Sequence, residues 1–304
     1  MQANISLPSG INDYVDAPVA FFDLLDEAVP TEVCHYTSKE TAIEYILEDR
    51  KIRLGKLGLT NDPRESKQWI VPNLVWSGDF AKDFEKEIAE SSVMIQNEVN
   101  RVLKEEWRVL CTVCHNYPYS DSYEGKKEYD HHEYRFSHSR MWAQYTKNHS
   151  GVCLLFDGEK LDDNIHQYFE LTGANYPIFH GFVRYDYNGS VRTTPTHLDM
   201  EFLYEQPINR IRKTPIKHHE PNFFYKSPEW KTEHEYRWLV HSTDTSEVLI
   251  PIGNAIKAVI VGADFPKVYE ASLIALCEKL KIPVGRISWD NGRPYVNRYA
   301  IYQP

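Results

Sequence analysis

Residues 233–240, EHEYRWLV, alternate between charged or polar and large apolar side chains near the C-terminal third of the chain. In a β-strand, residues two positions apart point to the same face of the sheet. The pattern therefore predicts a strand with Glu233, Glu235 and Arg237 on one face and large apolar side chains on the other. Two carboxylates on one face repel each other unless a partner uses them. They belong either to a solvated edge, with Arg237 neutralising Glu235, or to a pair at an active site.

The other segments follow strand and helix patterns in an irregular order. Strand patterns occur at 32–38, 51–57, 108–115, 151–157, 179–189, 247–252 and 255–264, and a hairpin about Asn291 and Gly292 is predicted at 285–302. Helical spacing occurs at 39–50, 140–150, 159–173 and 266–282. The chain has no βαβα rhythm and no glycine-rich phosphate loop. It is therefore predicted to be an α+β protein with a mixed, partly antiparallel sheet and flanking helices.

All 304 residues are predicted to form a single domain, because no linker rich in Pro, Gly or Ser divides the chain. Residues 1–30 are a lead-in. Apolar residues at helical spacing predict a long amphipathic helix over 79–107. The polar and aromatic stretch 116–140 predicts a long surface loop. Residues 79–140 are thus a helix-plus-loop elaboration of the domain.

Composition excludes some classes of function. A net charge of −10 and a pI near 5.7 argue against a broad nucleic-acid-binding surface, which needs a basic field. The basic stretch 209–219 leaves a local basic cleft open. The chain shows no signal peptide and no apolar run of about 18 residues, which predicts a protein without a membrane span. Five scattered cysteines predict reduced thiols and a cytoplasmic location.

The segment CTVCH, at 111–115, resembles both a c-type haem attachment site and half of a zinc site. Haem attachment requires export, and a second cysteine pair at zinc spacing is absent from the sequence. Three histidines, His131, His132 and His138, could complete a metal site with Cys114 and His115. The favoured interpretation is a strand in which cysteine is a small buried apolar residue, with no metal bound.

Several motifs occur in an order that resembles a bacterial family catalogued as domain of unknown function 2971. These are CHYTSKETAIEYILEDRKIRLGKL, TNDPRES, MWAQYTKNHSGVCLLFD, VRYD, KSPEWKTEHEYRWLV and IKAVIVGAD. The resemblance runs from about Val33 to Gly262. That family in turn is similar to the ADP-ribosyltransferases, which implies a split sheet of the ADP-ribosyltransferase kind.

The resemblance implies roles for particular residues. In ADP-ribosyltransferases of the His-Tyr-Glu type, the opening histidine holds the adenosine ribose of NAD. His35 matches that position, with Tyr36 and Thr37 beside it. The late strand implies Glu235 as the catalytic glutamate and Glu233 as its companion, and Glu-x-Glu is also the catalytic pair of the Arg-Ser-Glu branch. For His35, the alternative is a buried histidine bonded to the backbone.

An aromatic residue is expected against the nicotinamide ring. Tyr145 is the first choice and Trp142 the alternate, and both share one face of a short helix unless they simply pack in the core. Arg64, in the turn NDPRE, is expected to meet the pyrophosphate unless the segment is a plain turn. Arg237 either pins the glutamate pair or meets a phosphate.

These expectations favour an NAD-dependent ADP-ribosyltransferase. The resemblance suggests a bacterial toxin or phage-defence effector that uses NAD as its substrate, modifies a nucleic-acid or protein acceptor and is held in check by an antitoxin. One alternative is a nucleotide-binding sensor without transfer activity. Another is a metal-dependent hydrolase or nuclease that uses the loop rich in His and Cys.

Overall fold

The protein is built on one large mixed β-sheet. The computed structural model describes residues 28–68, 93–94, 96–114, 136–172, 178–186, 223–244 and 246–302. Within these ranges the strands are β1 (Glu32–Thr37), β2 (Lys51–Lys56), β3 (Trp107–Cys114), β4 (Val152–Asp157), β5 (Ile178–Phe182), β6 (Arg184–Tyr185), β7 (Tyr225–Lys226), β8 (Glu235–His241), β9 (Val248–Pro251), β10 (Ile256–Val261), β11 (Val284–Asp290) and β12 (Arg293–Tyr302).

Short helices connect and flank the strands. The α-helices are α1 (Pro63–Ser66), α2 (Ser139–Tyr145), α3 (Gly158–Leu171) and α4 (Glu270–Leu280). Thr41–Leu47 and Val102–Glu106 are π-helical, and Leu57–Leu59, Pro228–Glu233 and Lys267–Tyr269 are 3₁₀ turns. Ser38 begins the first helical segment, because its hydroxyl oxygen accepts a hydrogen bond from Thr41 N at 3.2 Å.

The sheet confirms the predicted α+β class with a mixed, partly antiparallel arrangement. Its strand order is β12-β11-β10-β4-β1-β3-β2-β9, with β8 paired to β3 and β5 paired to β8. Strands β10 and β11 are parallel, whereas the other pairs in this sheet are antiparallel. The small parallel pair β6–β7 forms a separate sheet.

Strand β3 pairs with one strand along one edge and with two strands along the other. The first edge pairs along its length with β8, from Trp107 to Val113. On the other edge, β2 pairs with Val109 and β1 pairs with Val113. The two neighbours therefore diverge around Cys111, and the sheet opens at that point.

Strand β8 lies in the centre of the molecule rather than at a solvated edge. It is flanked by β3 and β5, and Tyr236 and Trp238 are fully buried. The indole nitrogen of Trp238 donates a hydrogen bond to Asp162 on α3 at 2.7 Å. This hydrogen bond satisfies the indole N–H group, which burial removes from water. The alternative of a solvated strand face at Glu235 and Arg237 is therefore wrong.

Most of the predicted elements are present, with two corrections. The segment predicted as a turn at 60–66 contains the short helix α1, whose first turn is capped by the Asp62 carboxylate at 2.9 Å from Arg64 N. The helix predicted to reach 107 ends at Glu106, and β3 begins at Trp107. The hairpin about Asn291 and Gly292 is confirmed, and both residues have positive φ, as a two-residue hairpin turn requires.

Several predictions concern residues outside the described ranges. Residues 1–27, 69–92, 115–135 and 209–219 lie outside the described residues, and with them the lead-in, most of the long helix, most of the predicted loop and the basic stretch. No helix within the described ranges is long and apolar enough to cross a membrane.

Gly151 sets how closely the end of α2 approaches the sheet. A Cβ atom at this position would lie 2.8 Å from Thr146 Cβ and would overlap the backbone oxygen of Thr37. Contacts this short do not occur between real side chains, so a larger residue would push α2 away from β1. By contrast, a Cβ at Gly55 on β2 would meet its nearest neighbour, Val109 O, at 3.9 Å.

We expect Gly151→Ala to lower the free energy of unfolding by roughly 2 kcal/mol or more, because overpacking at this contact forces the backbone to shift. Gly55→Ala is the matched control and should change it by less than about 1 kcal/mol. Urea denaturation followed by tryptophan fluorescence measures both. Equal effects of the two substitutions would show that the close approach at Gly151 does not constrain the fold.

Candidate functional site

A cavity of about 170 Å³ opens beside Cys111, where β1 and β2 diverge from each other along β3. Its walls come from β1, β3, α2 and the segment around β7 and β8. The polar side chains on these walls include His35, Asn61, Tyr145, Lys226, Glu233 and Glu235. The imidazole and both carboxylates singled out in the sequence therefore face one shared space.

The two glutamates reach this cavity by a route that the sequence pattern did not predict. Glu233 ends the 3₁₀ turn Pro228–Glu233, His234 adopts a left-handed conformation with φ of 45°, and β8 begins at Glu235. The prediction that both lie on one strand face is therefore wrong. They converge instead on Lys226, whose Nζ lies 3.2 Å from Glu233 Oε2 and 2.7 Å from Glu235 Oε2.

Arg237 lies behind the cavity and holds Glu235 in place. Its Nε donates to Glu235 Oε1 at 2.7 Å, and its Nη1 donates to Glu65 Oε1 at 2.5 Å. The guanidinium is fully buried and is not among the described residues that line the cavity. Of the two roles open to Arg237, the structure supports pinning the carboxylate and not contacting a phosphate.

The surrounding charges drive the pKa values of the two glutamates apart. Burial disfavours the ionised form of Glu235, but Arg237 and Lys226 outweigh it and lower the pKa to about 2. Burial raises the pKa of Glu233 by more than the charge of Lys226 lowers it, and the negative charge of Glu235 raises it a little further. Glu235 is thus ionised at neutral pH, whereas Glu233 is the carboxylate that more readily takes up a proton.

The ion-paired groups at the site carry an excess of negative charge. Three carboxylates, Glu65, Glu233 and Glu235, contact two cations, Lys226 and Arg237. Burial alone would lower the pKa of Lys226, but the carboxylates reverse the effect and raise it well above its usual value. With every group ionised, one negative charge remains uncompensated. A proton on Glu233 or a cationic ligand in the cavity would balance it.

Tyr145 and Trp142 occupy different environments. The Tyr145 hydroxyl faces the cavity and donates a hydrogen bond to Glu233 Oε1 at 2.6 Å. Burial and the Glu233 carboxylate raise the pKa of Tyr145, so the hydroxyl stays protonated and remains a donor. Trp142 is fully buried, donates to Phe136 O at 2.7 Å and packs edge-on against Tyr36. Trp142 therefore belongs to the core, and of the two aromatic candidates for the nicotinamide ring only Tyr145 lines the cavity.

His35 lies on β1 at the divided edge of β3. Its Nδ1 is 3.1 Å from Cys111 O, and because a carbonyl oxygen can only accept, Nδ1 is the protonated nitrogen. Burial lowers the pKa of His35, which favours the neutral ring and leaves Nε2 as an acceptor. His35 is therefore both bonded to the backbone, as the sequence alternative had it, and part of the cavity wall.

The other predicted residues, Tyr36, Thr37 and Arg64, differ in whether they line the cavity. Tyr36 contributes to the wall, although its ring packs mainly against Trp142. Thr37, at the end of β1, is buried opposite Val152. Arg64 lies on α1 beside Asp62 and Glu65, and neither it nor Thr37 is among the described residues that line the cavity.

Two important residues were missed by the sequence analysis. Lys226 lies within the motif KSPEWKTEHEYRWLV, but its spacing to the glutamates gives no sign that the chain folds back on it. Glu65 lies in NDPRES, where helical geometry turns its carboxylate inward towards Arg237. A buried arginine on a central strand needs a second acid in addition to Glu235, and that requirement is the signal that could have identified Glu65.

No group of three or more His, Cys, Asp or Glu residues in the described ranges could hold a metal ion. Cys111 and Cys114 lie on β3, as the strand interpretation predicted, and the Cys114 thiol donates to His234 O. Burial, followed by the charge of Glu235, raises the pKa of Cys111 well above its usual value, so its thiol is neutral. His115, His131 and His132 lie outside the described residues.

The ion pairs of Glu235 should make stability depend on pH. Because the folded pKa is about 2 and the ordinary value is 4.5, the unfolded chain takes up this proton first as the pH falls. The stabilisation is therefore present above the ordinary value and is lost as the pH approaches about 2. We expect the difference in unfolding free energy between wild type and Glu235→Gln to shrink by about 3 kcal/mol between about pH 5 and about pH 2.

Urea titrations at several pH values across this window measure that difference. Replacement of the exposed Glu170 by Gln is the control for the exchange of a carboxylate for an amide, and its difference curve serves as the baseline. A difference curve for Glu235→Gln that follows this baseline would contradict the assignment of Glu235 as a buried anion.

Comparison with known families gives one match. Residues 141–238 match the family model described as Protein of unknown function (DUF2971). The matched stretch contains Tyr145, Lys226, Glu233 and Glu235. No curated protein and no solved structure matches the chain. The segment that supplies the carboxylates, the lysine and the tyrosine of the cavity is thus the segment that resembles proteins of the DUF2971 family.

Proposed function

We propose that this protein is an NAD-dependent ADP-ribosyltransferase. In the reaction, the bond between nicotinamide and ribose breaks, nicotinamide leaves with the bonding electrons, and a nucleophilic group of an acceptor forms the new bond to ribose. The acceptor loses one proton, so the products are the ADP-ribosylated acceptor, nicotinamide and a proton. The acceptor is a nucleic acid or a protein.

The observation that carries the proposal is the convergence of Glu233, Glu235 and His35 on one cavity. His35 lies on β1, far in sequence from the two glutamates. The three are also the residues for which the resemblance to ADP-ribosyltransferases implied a shared site. A structural role alone does not require three ionisable side chains to face one space.

Glu235 has the properties required of a group that stabilises the departing sugar. Cleavage of the nicotinamide–ribose bond develops positive charge on the ribose, as in glycoside hydrolysis. A carboxylate that is already ionised and held by Arg237 stabilises this charge without reorganising. In this proposal Arg237 and Glu65 act through Glu235, because Arg237 is fully buried and does not reach the cavity.

Glu233 has the properties required of a general base. Its pKa is raised, so it accepts a proton more readily than Glu235 at the pH of the cell. The Tyr145 hydroxyl orients its Oε1 at 2.6 Å. We propose that Glu233 takes the proton from the acceptor nucleophile while Glu235 remains an anion beside the ribose.

The size of the cavity limits how NAD can bind. About 170 Å³ is below the 300–1,000 Å³ typical of sites that enclose a whole drug-sized ligand. Part of the dinucleotide must therefore lie outside it. A folded dinucleotide, with the two riboses near each other, would bring one hydroxyl to Glu235 and one to the acceptor nitrogen of neutral His35.

A nucleotide-binding sensor without transfer activity is the second candidate. The observation that favours it is the ion pairing of Glu235, whose two oxygens contact Arg237 and Lys226. A carboxylate with both oxygens occupied is less available to a ribose hydroxyl. The proposed role as a toxin or defence effector with an antitoxin partner rests on the family resemblance alone.

We expect the purified protein, supplied with NAD and a cell extract as a source of acceptor, to release nicotinamide. Glu235→Gln should slow the release by about 100-fold or more, because it removes a charge that is aimed at the developing cation. Chromatographic measurement of free nicotinamide over time gives both rates. A chelator should leave the rate unchanged.

The matched control is Glu229→Gln, which changes an exposed carboxylate on the same 3₁₀ turn as Glu233. Its rate should equal that of the wild type. NAD binding without release of nicotinamide would favour the sensor, and equal rates for wild type and Glu235→Gln would remove the catalytic role proposed for Glu235.

A further inference from the structure

Lys226 lies between the two carboxylates of the cavity. Its Nζ contacts Glu233 at 3.2 Å and Glu235 at 2.7 Å, and the side chain is almost fully buried. Lys226 also lines the cavity itself. The ammonium therefore occupies the part of the site where the negative charge is most concentrated.

A positively charged ligand would seek the same position. The excess of one carboxylate over the cations attracts a cation into the cavity, but two cations cannot share the same two carboxylates at short range without strong repulsion. Entry of a cationic group beside Glu235 therefore requires the ammonium to withdraw. An uncharged ring does not compete with the ammonium for the carboxylates, and their charge does not attract it.

We propose that Lys226 is a specificity-determining residue of this site. In the free protein its ammonium is the counterion of Glu233 and Glu235, and it moves away when a cationic ring binds beside them. The inference rests on the proposed use of NAD, because NAD carries a positively charged pyridinium ring and its reduced form does not. The site then selects its ligand by charge, because only a cation replaces the positive charge that the carboxylates lose when the ammonium withdraws.

The ammonium has a contact in addition to the two carboxylates. Its Nζ lies 5.3 Å from the centroid of the partly exposed Trp230 ring, within the range of a cation–π interaction, and this contact does not depend on the carboxylates. The lysine stem is long and has several rotatable bonds. The backbone of Lys226 is fixed, because its carbonyl accepts a hydrogen bond from Asp186 N. Withdrawal therefore needs movement of the side chain alone.

An anionic ligand fits these contacts poorly. A lysine that binds phosphate presents its ammonium to the ligand, whereas Lys226 is flanked by Glu233 and Glu235. A phosphate close enough to contact Nζ would also meet both carboxylates. The contacts therefore favour a cation as the occupant and make phosphate binding an outcome that the experiment can detect.

The experiment uses small probes that do not depend on catalysis. Isothermal titration calorimetry measures the affinity of the full chain for 1-methylnicotinamide, a cation, and for neutral nicotinamide. Replacing Lys226 with Met keeps the length of the side chain and removes its charge. We expect the preference for the cation over the neutral ring to rise roughly tenfold or more in Lys226→Met, because the internal competitor is gone.

A second variant guards against failure to fold, since removing Lys226 leaves buried carboxylates without a partner. The double variant Lys226→Met with Glu233→Gln retains Glu65, Glu235 and Arg237, and so keeps the single excess negative charge of the wild type. It should also prefer the cation more strongly than the wild type does. Lys231→Met, on the neighbouring 3₁₀ turn, is the control and should leave the preference unchanged.

The outcomes separate this inference from the proposed function. A stronger preference for the cation in the folded variants supports the role of Lys226 even if the wild type never cleaves NAD. An unchanged or weaker preference in the double variant overturns it. Binding of inorganic pyrophosphate by the wild type that is lost in both variants would assign Lys226 to a phosphate and would also overturn it.

Discussion

The contact between Arg237 and Glu235 is the interaction on which the rest of the site depends. Both side chains lie on the central strand β8, where water is excluded. A charge buried alone in such a place is very costly, so each member requires the other. Glu65 then completes the coordination of Arg237, and Lys226 completes that of Glu235. Removal of one member therefore leaves its partners with an uncompensated buried charge.

Such a cluster is an expensive way to stabilise a protein. Replacing a buried ion pair by apolar residues of similar volume is often neutral or even stabilising, which makes ion pairs weak evidence for a purely structural role. The arrangement here also leaves one carboxylate in excess and directs two of the acids into a cavity. Both properties are those of a site that meets a ligand. They give the proposed chemistry a physical basis that is independent of the family resemblance.

The sequence allowed the strands and helices to be predicted where local signals decide the structure. Alternating apolar residues placed the strands, Ser38 marked a helix start, and Asn291 with Gly292 marked the hairpin. The site was predicted less completely, because its geometry depends on contacts between distant segments. The left-handed conformation of His234 breaks the strand alternation from which Glu233 and Glu235 were predicted to share one face. Positive φ is uncommon at a non-glycine residue, so the sequence does not indicate it. Lys226 lies on β7, and the pairing of β7 with β6 is a contact that local patterns do not show.

The divided edge of β3 has a mechanical consequence. Strands β1 and β2 belong to different wings of the sheet, and both are anchored to the same strand, one at each end. Because both strands are fixed by their pairing to β3, the distance between them depends on the twist of β3 between Val109 and Val113. A substitution that changes the twist of β3 would therefore change the spacing of the two strands beside the cavity.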